Sequence, residues 1–217
     1  MKAMNLPKMS TVKPFQKKSK TASDEECKNI LNQKFNPKEP NKVWVCDFTY
    51  IRVCGRYYYL CAIIDLFSRK VIAYKLSNRI DTQLAIDTVY LAVASREKSN
   101  GIIFHSDRGC QFTSSKFRKH LDNLNMIQSF SAKGHPYDNA VIECFFKYLK
   151  KEEVNRRSYS SFDDLNLSLF QYINGFYNSF RPHSHNNGLS PNDLSNTTSQ
   201  ILKISVNYLS TLLTMVQ

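Results

Sequence analysis

The chain has 217 residues, 42% of them hydrophobic, and includes 14 Phe and 12 Tyr. This length and composition favour one main domain with a sizeable core, plus extensions. The formal net charge of +12 favours a polyanionic partner such as nucleic acid, although a basic surface that serves only solubility stays open at this point. No apolar run approaches the roughly 18 residues that a membrane span requires, so membrane insertion is not expected.

The cysteines and the first ten residues indicate the compartment. Residues 1–10 contain two lysines and lack the apolar run of a signal peptide. We therefore expect free thiols in a reducing cytoplasm. A zinc site that combines Cys110 or Cys144 with His105 or His135 is the alternative, but these spacings fit no zinc finger or ribbon. No Cys-x-x-Cys pair occurs among Cys27, Cys46, Cys54, Cys61, Cys110 and Cys144.

Residues 1–42 form the first segment of the chain. They are polar and rich in lysine, which is typical of a basic N-terminal arm that becomes ordered on a partner. Within this arm, residues 24–35 are predicted to form a short helix with Ser23 as its N-cap. The acidic residues Asp24, Glu25 and Glu26 would favour its first turn.

Three strands, a helix and a fourth strand are predicted next. Residues 43–53, 57–66 and 70–77 are rich in Val, Ile, Tyr and Phe, and a tight turn joins the first two runs. Residues 81–97 have apolar side chains at helical spacing. Residues 101–105 are nearly all apolar, which is typical of a buried parallel strand.

The second half of the chain alternates between helix and strand and then becomes helical. A short helix at 115–123 and a short strand at 127–130 precede a loop at 131–137. A long helix then begins at Asp138, and another spans 161–177. This order predicts an α/β fold with a mixed five-stranded sheet and helices on both faces, as in a ribonuclease H-like core.

Three carboxylates stand out because each has a different structural setting. Asp47 lies mid-strand in VWVCDFTYIRV, where a carboxylate is costly unless a metal ion or a solvent-filled cleft receives it. Asp107 in IIFHSDRGCQFTS directly follows the buried strand, at the edge where ligands gather in such sheets. Glu143 follows after 35 further residues, in GHPYDNAVIECFFKYLKKE. Taken singly, Asp47 could equally be a solvent-facing residue of an edge strand, and Asp107 could equally be an ordinary turn residue.

A helical wheel gives Glu143 its orientation. It places Glu143 opposite an apolar face and close to several lysines. Ordinary Glu–Lys pairs on a solvated face would explain these lysines, and so would DNA phosphates that pass along the helix. Glu152 falls on the apolar side, which the wheel does not explain. The apolar face comprises Val141, Phe145, Tyr148 and Leu149, and the lysines are Lys147, Lys150 and Lys151.

A fourth acidic residue, Asp65 in IIDLFSRK, ends a strand near Asp47. Carboxylates at strand ends commonly accept hydrogen bonds within a turn. We predict that Asp65 is such a structural residue, bonded near Ser68 or Arg69, and not a catalytic ligand.

Five segments, taken together, resemble the insertion-sequence transposases with a retroviral-integrase-type catalytic core. More narrowly, they resemble the second-frame product of the family named for insertion sequence three. The segments occur in the family's order across residues 41–194 and are NKVWVCDFTYI, CAIIDLFSRKVIAY, FHSDRGCQFTS, GHPYDNAVIECFFKYLKKE and YNSFRPHSHNNGLSP.

The resemblance implies a catalytic triad of Asp47, Asp107 and Glu143 that holds two Mg²⁺ ions, with Mn²⁺ as a substitute. The implied reaction nicks a transposon end and joins the freed 3′-hydroxyl to another strand. His105 and Asn139 would support the site or contact DNA. The implied DNA-binding residues are Arg108, Lys147, Lys150, Lys151 and Arg181.

The resemblance also implies partners and a division into domains. The partners are transposon-end and target DNA, further copies of the chain and an upstream-frame helix-turn-helix protein, in the bacterial cytoplasm at the nucleoid. Residues 1–42 would be an arm shorter than the family's N-terminal module, 43–160 the catalytic core and 161–217 a helical extension.

Two other functions remain open at the level of the sequence. One is a truncated transposase remnant that only binds DNA. The other is a ribonuclease H-type nuclease that acts on hybrids, which the motif containing Tyr177, Arg181, Pro182 and His183 disfavours.

Overall fold

The protein is built around one mixed β-sheet in the part of the chain that the computed structural model describes, residues 26–96 and 101–198. The strand order is β3-β2-β1-β4-β5. Strands β1, β2 and β3 are antiparallel neighbours, whereas β4 and β5 run parallel to β1. The strands are β1 Val43–Val53, β2 Arg56–Asp65, β3 Lys70–Ser77, β4 Ile103–Ser106 and β5 Ile127–Phe130.

Five α-helices that lie wholly within the described residues connect and cover these strands. Side chains of Asp81, Ser114 and Ser161 accept hydrogen bonds from backbone amides in the first turns of α1, α3 and α5, which fixes where these helices begin. The helices are α1 Thr82–Ala94, α2 Cys110–Thr113, α3 Ser115–Asn123, α4 Ala140–Glu152 and α5 Phe162–Phe170. Short 3₁₀ turns lie at Pro136–Asn139, Val154–Arg156 and Ser184–Asn186, and residues 191–198 are helical.

A π-helical segment, Gln171–Tyr177, continues directly from α5. Its wider turn is visible in hydrogen bonds that span five residues, from Asn178 N–H to Ile173 O and from Arg181 N–H to Phe176 O. Buried residues of α5 and this segment join the same apolar cluster as α4 and β1. The predicted extension therefore packs against the core from residue 162 onwards.

The alternation of side chains along β1 divides the core into two layers. Val45 and Ile51 point to the face covered by α4 and α5. Trp44 and Cys46 point to the face covered by α1 and α3. Fully burying one such apolar side chain contributes about 1.5–3 kcal/mol. The predicted five-stranded mixed sheet with helices on both faces is confirmed.

The register between β1 and β4 determines where the site forms. The two strands pair in parallel from Val43 with Ile103 to Cys46 with Ser106. The next residues, Asp47 on β1 and Asp107 in the loop after β4, therefore lie at the same level of adjacent strands, where strand spacing is about 5 Å.

Both edge strands of the sheet have backbone groups bonded to partners outside the sheet. At β5, the Phe130 amide donates to the carbonyl of Lys28 at 2.9 Å. At β3, the side chain of Asn178 accepts from the Val71 amide at 3.0 Å and donates to the Val71 carbonyl at 2.9 Å. A side-chain amide thus takes the place of a neighbouring strand.

The helix predicted at residues 24–35 is not present in its described part, residues 26–35. The Ser129 hydroxyl accepts from the amides of Ile30 and Leu31, both at 3.0 Å, and Leu31 is buried. Tertiary contacts with β5 therefore hold these amides in a non-helical conformation. Ser23, Asp24 and Glu25 lie outside the described residues, as do the rest of the basic arm to residue 25 and residues 199–217.

No described helix has both the length and the apolar character needed to cross a membrane. The six cysteines are free thiols, as predicted.

Candidate active site

Asp47 lies on β1 just beyond the part that pairs with β4, and two hydrogen bonds hold its carboxylate. Its Oδ1 accepts from the Phe48 amide at 2.7 Å. Its Oδ2 accepts from Nδ2 of the buried Asn139 at 3.1 Å. Since Asn139 directly precedes α4, this bond fixes the start of that helix against β1. Asn139 therefore supports Asp47, in agreement with one of its two predicted roles.

Asp107 lies in the loop between β4 and α2. Its Oδ1 accepts from the Gly109 amide at 2.9 Å. A Cβ atom at Gly109 would lie 3.0 Å from that same oxygen and 3.1 Å from Oε1 of Gln111. Glycine is therefore required at 109 for close approach to the carboxylate, not for an unusual backbone angle, because its φ is −56°.

Glu143 lies in the first turn of α4 and its side chain is exposed, as the helical wheel predicts. The buried face of the helix is shifted slightly from the predicted one. It comprises Ile142, Phe145, Phe146 and Leu149, while Val141 and Tyr148 are only half-buried.

Electrostatic interactions link Asp47 to the other two carboxylates. Burial, followed by the negative charge of Asp107, raises the pKa of Asp47 to about 7. Glu143 adds to this increase, whereas the Phe48 and Asn139 hydrogen bonds oppose it. Burial also raises the pKa of Asp107, against the lowering effect of the Gly109 amide. The pKa of Asp47 therefore responds to the charges of both Asp107 and Glu143.

The donor set fits a hard divalent cation. All three side chains offer oxygen ligands, the type that Mg²⁺ and Mn²⁺ prefer. Oδ1 of Asn139 is buried beside them and has no hydrogen-bond partner among the described residues. Within that same part of the chain, no three His, Cys, Asp or Glu side chains are already arranged closely enough to enclose an ion. The exposed Glu143 side chain would have to turn inwards to complete such a shell.

His105 supports the loop below the site. It is fully buried, with Nδ1 2.9 Å from the Ser129 hydroxyl and Nε2 3.2 Å from the Ser131 hydroxyl. Burial lowers the pKa of His105 to about 4, so the ring is neutral. With both nitrogens engaged by serine hydroxyls, His105 acts as a structural support and does not face DNA or a zinc ion.

Asp138 is a structural residue whose contacts the sequence did not reveal. Its carboxylate accepts from the Ala132 amide and from the side chains of Asn29 and Gln33, each at 2.8 Å. It therefore joins the loop before α4 to the N-terminal segment. The sequence signal was limited to an Asp at a helix start.

The predicted basic residues have different environments. Arg108 donates to the backbone carbonyls of Ser131 at 2.9 Å and Cys27 at 3.1 Å, so it holds the loop in place. The Lys150 ammonium lies 4.7 Å from the centre of the Tyr50 ring. The lysines that are fully exposed along α4 are Lys147 and Lys151.

Arg181 bridges the C-terminal segment to α4. Its guanidinium forms an ion pair with Glu152 at 2.9 Å and lies 4.1 Å above the Tyr148 ring. Glu152 also accepts from the Tyr172 hydroxyl at 2.6 Å. These partners explain why an acidic residue occupies the apolar side of α4.

Asp65 has the structural role predicted for it. The carboxylate is fully buried and accepts from the amides of Phe67 and Asn41, both at 3.1 Å. Arg96 lies 3.9 Å away. The bond from Phe67 lies next to Ser68, as predicted, whereas the bond from Asn41 reaches the segment before β1 and was not predicted.

Comparison with known proteins identifies the class of core that this fold and site represent. An integrase core domain model matches residues 37–136, and a second model of the same description matches residues 124–191. The fold is similar to a chain of the simian T-cell lymphotropic virus intasome, with a TM-score of 0.60 and 19% identity over 74% of this chain and 56% of that one. It is also similar to the HTLV-2 integrase catalytic core in complex with magnesium, with a TM-score of 0.52 and 18% identity over 70% and 94% of the two chains. At these identities the likeness shows the fold alone, which confirms the predicted ribonuclease H-like core.

The sequence comparison narrows the class to a family. The chain is 38% identical to the transposase for insertion sequence element IS904 of Lactococcus lactis subsp. lactis, over 76% of this chain and 65% of the relative. It is 39% identical to transposase InsF for insertion sequence IS3A of Escherichia coli, over 77% of this chain and 58% of the relative. The chain belongs to this family of insertion-sequence transposases with an integrase core. It spans less than two thirds of the length of these relatives.

Proposed function

We propose that the protein is a metal-dependent polynucleotidyl transferase that cleaves and joins DNA strands at the ends of an insertion sequence. The observation that supports the proposal is that Asp107, after the strand next to β1, and Glu143, in the first turn of α4, both raise the pKa of Asp47. Family membership supports the same chemistry. The alternative of a DNA-binding remnant does not explain why Asp47 and Asp107 are buried at an energetic cost.

Asp47, Asp107 and Glu143 would hold two Mg²⁺ ions, or Mn²⁺ in their place. When bound, the ions would activate the attacking oxygen and stabilise charge on the leaving oxygen. The protein prepares this site in advance. Asn139 orients the Asp47 carboxylate and the Gly109 amide orients that of Asp107, so little reorganisation is left for the reaction itself.

The reaction balances without a covalent enzyme intermediate. In cleavage, a water oxygen bonds to the scissile phosphorus while the bond to the 3′-oxygen breaks, which leaves a 3′-hydroxyl and a 5′-phosphate. In joining, that 3′-hydroxyl attacks a phosphodiester of another strand and displaces its 3′-oxygen. Both steps use the same site, because both are in-line displacements at phosphorus.

The DNA backbone is proposed to follow α4. Lys147 and Lys151 are one helical turn apart and exposed on the side of Glu143, so they can contact phosphates along one strand. Lys150, held over Tyr50, would contact a neighbouring phosphate. Arg108 would do so from the loop beside Asp107.

The proposed partners follow from this function. They are transposon-end and target DNA, further copies of this chain on the DNA and an upstream-frame helix-turn-helix protein. The catalytic core itself supplies mainly phosphate contacts, whereas reading an end sequence requires base contacts.

The test is a strand-cleavage and joining assay on duplexes that carry the element's own ends, with and without Mg²⁺. We expect Asp107→Asn and Glu143→Gln each to abolish cleavage and leave DNA binding nearly unchanged, because they remove metal ligands and not phosphate contacts. Asp122→Asn, at an exposed carboxylate of α3, is the matched control and should remain active. Full activity of Asp107→Asn would show that the assignment of the site is wrong.

A further inference from the structure

A cleft with a volume of about 600 Å³ lies between α4 and residues 177–185. This volume is within the range of about 300–1,000 Å³ that is typical of pockets for small molecules. Its walls combine aromatic rings with positive charge. We call it the α4 cleft, and its principal lining residues are Arg69, Cys144, Tyr148, Tyr177, Arg181 and His183.

The α4 cleft lies beside the proposed path of DNA. Residues four positions apart form a stripe along a helix, and consecutive residues lie about 100° apart around its axis. Cys144 and Tyr148 line the cleft, and they directly follow Glu143 and Lys147. The stripe that faces the cleft is therefore next to the stripe that carries the catalytic carboxylate and the phosphate-binding lysines.

The α4 cleft favours an anion, because its lining contains two guanidinium groups and no carboxylate. Arg181 uses Nε and Nη2 for its ion pair with Glu152. Its Nη1 amino group makes no hydrogen bond to any described residue. Two N–H donors of Arg181 are thus available to a ligand.

Arg69 adds a second positive charge, which the more distant carboxylate of Asp65 offsets in part. This buried guanidinium donates to the carbonyls of Phe35 and Leu66 and to the side chain of Asn36, none of which is charged. Its remaining contact is with Nδ1 of His185 at 3.2 Å, which must accept because a guanidinium only donates. Within the described residues no carboxylate lies within ion-pair distance of Arg69.

The aromatic wall of the α4 cleft suits a planar ring. The Tyr148 ring lies under the Arg181 guanidinium at 4.1 Å. Tyr177 meets His183 edge to face, with ring centres 4.9 Å apart. Aromatic side chains next to cationic ones are what proteins use to hold the bases of single-stranded DNA, because every base offers a π-face.

We propose that the α4 cleft binds one unpaired deoxynucleotide of the DNA strand next to the cleaved position, with its base against the aromatic wall and its phosphate at Nη1 of Arg181. This inference rests on the proposed function, since the DNA must lie along α4. It assigns a role to the motif from Tyr177 to His185, which the carboxylate chemistry does not use. A free nucleotide has the same chemical groups, so the experiment must distinguish a nucleotide within a DNA strand from a free one.

The experiment measures fluorescence anisotropy of labelled duplexes of one sequence, with a blunt end or with a short single-stranded overhang, in EDTA so that no cleavage occurs. We expect the full chain to bind the overhang about tenfold more tightly, the order of effect of one stacked base. Ser184→Trp fills the mouth of the cleft from an exposed position and should abolish the preference. Ser115→Trp, at an exposed serine of α3, is the matched control and should keep it.

Alkylation of Cys144 gives a second measurement that needs no variant. Overhang DNA should slow the reaction of Cys144 with N-ethylmaleimide more than blunt DNA does, while the exposed Cys54 in the turn after β1 should react equally with both. Equal protection of Cys144 by the two DNAs would contradict the proposal.

The other outcomes are also decisive. Equal affinity for both duplexes in a chain that cleaves DNA would overturn the α4 cleft proposal and leave the proposed function intact. Loss of the overhang preference in the presence of an equimolar deoxynucleoside monophosphate would assign the cleft to free nucleotides instead. Failure to bind either duplex would defeat both proposals together.

Discussion

At the scale of single residues, the site depends on small groups that position the carboxylates. The Gly109 amide and the Asn139 side chain each hold one aspartate by a single hydrogen bond. Such groups do not react, but they determine where the reacting oxygen atoms lie. A displacement of about 1 Å in a catalytic site can cost about 10²-fold in rate.

Gly109→Ala tests this dependence on position. The added Cβ would lie 3.0 Å from Oδ1 of Asp107, tighter than most such contacts, so the carboxylate must shift by a few tenths of an ångström. We expect the cleavage rate to fall about tenfold while the thermal midpoint changes little. Rate and midpoint are measured by single-turnover cleavage and by circular dichroism.

Gly175→Ala is the control for that variant, because nothing lies within 4 Å of its added Cβ. It should cleave at the native rate. If Gly109→Ala cleaves equally fast, the exact position of Asp107 does not limit the reaction.

At the scale of elements, α4 combines three functions on different sides. Phe145 and Leu149 bury one side in the core, Glu143 and Lys147 are exposed on another, and Glu152 forms the ion pair with Arg181 at the end of the helix. The helix is thus fixed at both ends, by Asn139 against β1 and by Glu152 against the C-terminal segment. A rigid element positions catalytic groups more accurately than a loop does.

Replacing both Lys147 and Lys151 with Ala tests whether α4 follows DNA. Lost phosphate contacts should weaken binding of every sequence alike and reduce the salt slope by roughly one unit for each contact. The slope is obtained by titrating binding against salt concentration.

Lys116→Ala combined with Lys119→Ala is the matched control, since these exposed lysines lie on α3, on the other face of the sheet. An unchanged slope for the α4 pair would mean that its lysines form only a solvated surface.

Elements defined by local side-chain patterns were predicted well from the sequence, whereas those that depend on contacts between distant residues were not. The bounds of β1, β3, α3 and β5 were predicted correctly, because their side-chain patterns are local. Helix α2 was missed because its four residues are too few to show a period. The helix at residues 24–35 was predicted wrongly because the Ser129 hydroxyl, far away in the chain, holds its amides.

In the candidate site, too, contacts between residues far apart in the chain could not be predicted. The three carboxylates could be identified from their flanking sequences, but not the bond from Asn139 to Asp47, whose partners are 92 positions apart. The bridge from Arg181 to Glu152 spans 29 positions and was equally invisible. Contacts of this kind are created by the fold and leave no local pattern.

At the scale of the whole molecule, the described chain forms a catalytic core and lacks a paired-helix module among residues 26–42. Specific DNA recognition usually relies on a helix in the major groove that a second helix braces. The predicted short helix in this segment is replaced by turns that pack on β5. We therefore predict that residues 26–42 do not read the end sequence.

Competition binding tests this expectation, with transposon-end duplex against scrambled duplex of equal length. We expect the chain alone to show little preference, because phosphate contacts are independent of sequence. Adding the upstream-frame protein should create a preference. A preference of about 10³-fold or more by the chain alone would show that it reads the end sequence unaided.

The capped edges of the sheet have a consequence for assembly. Exposed edge strands are templates on which other chains add, whether into ordered oligomers or into aggregates. Here the Lys28 carbonyl accepts a hydrogen bond from the Phe130 amide at one edge. At the other edge, the side-chain amide of Asn178 bonds to the backbone amide and carbonyl of Val71. A further strand that paired along the length of either edge would have to displace these contacts, which makes edge-to-edge self-association less favourable.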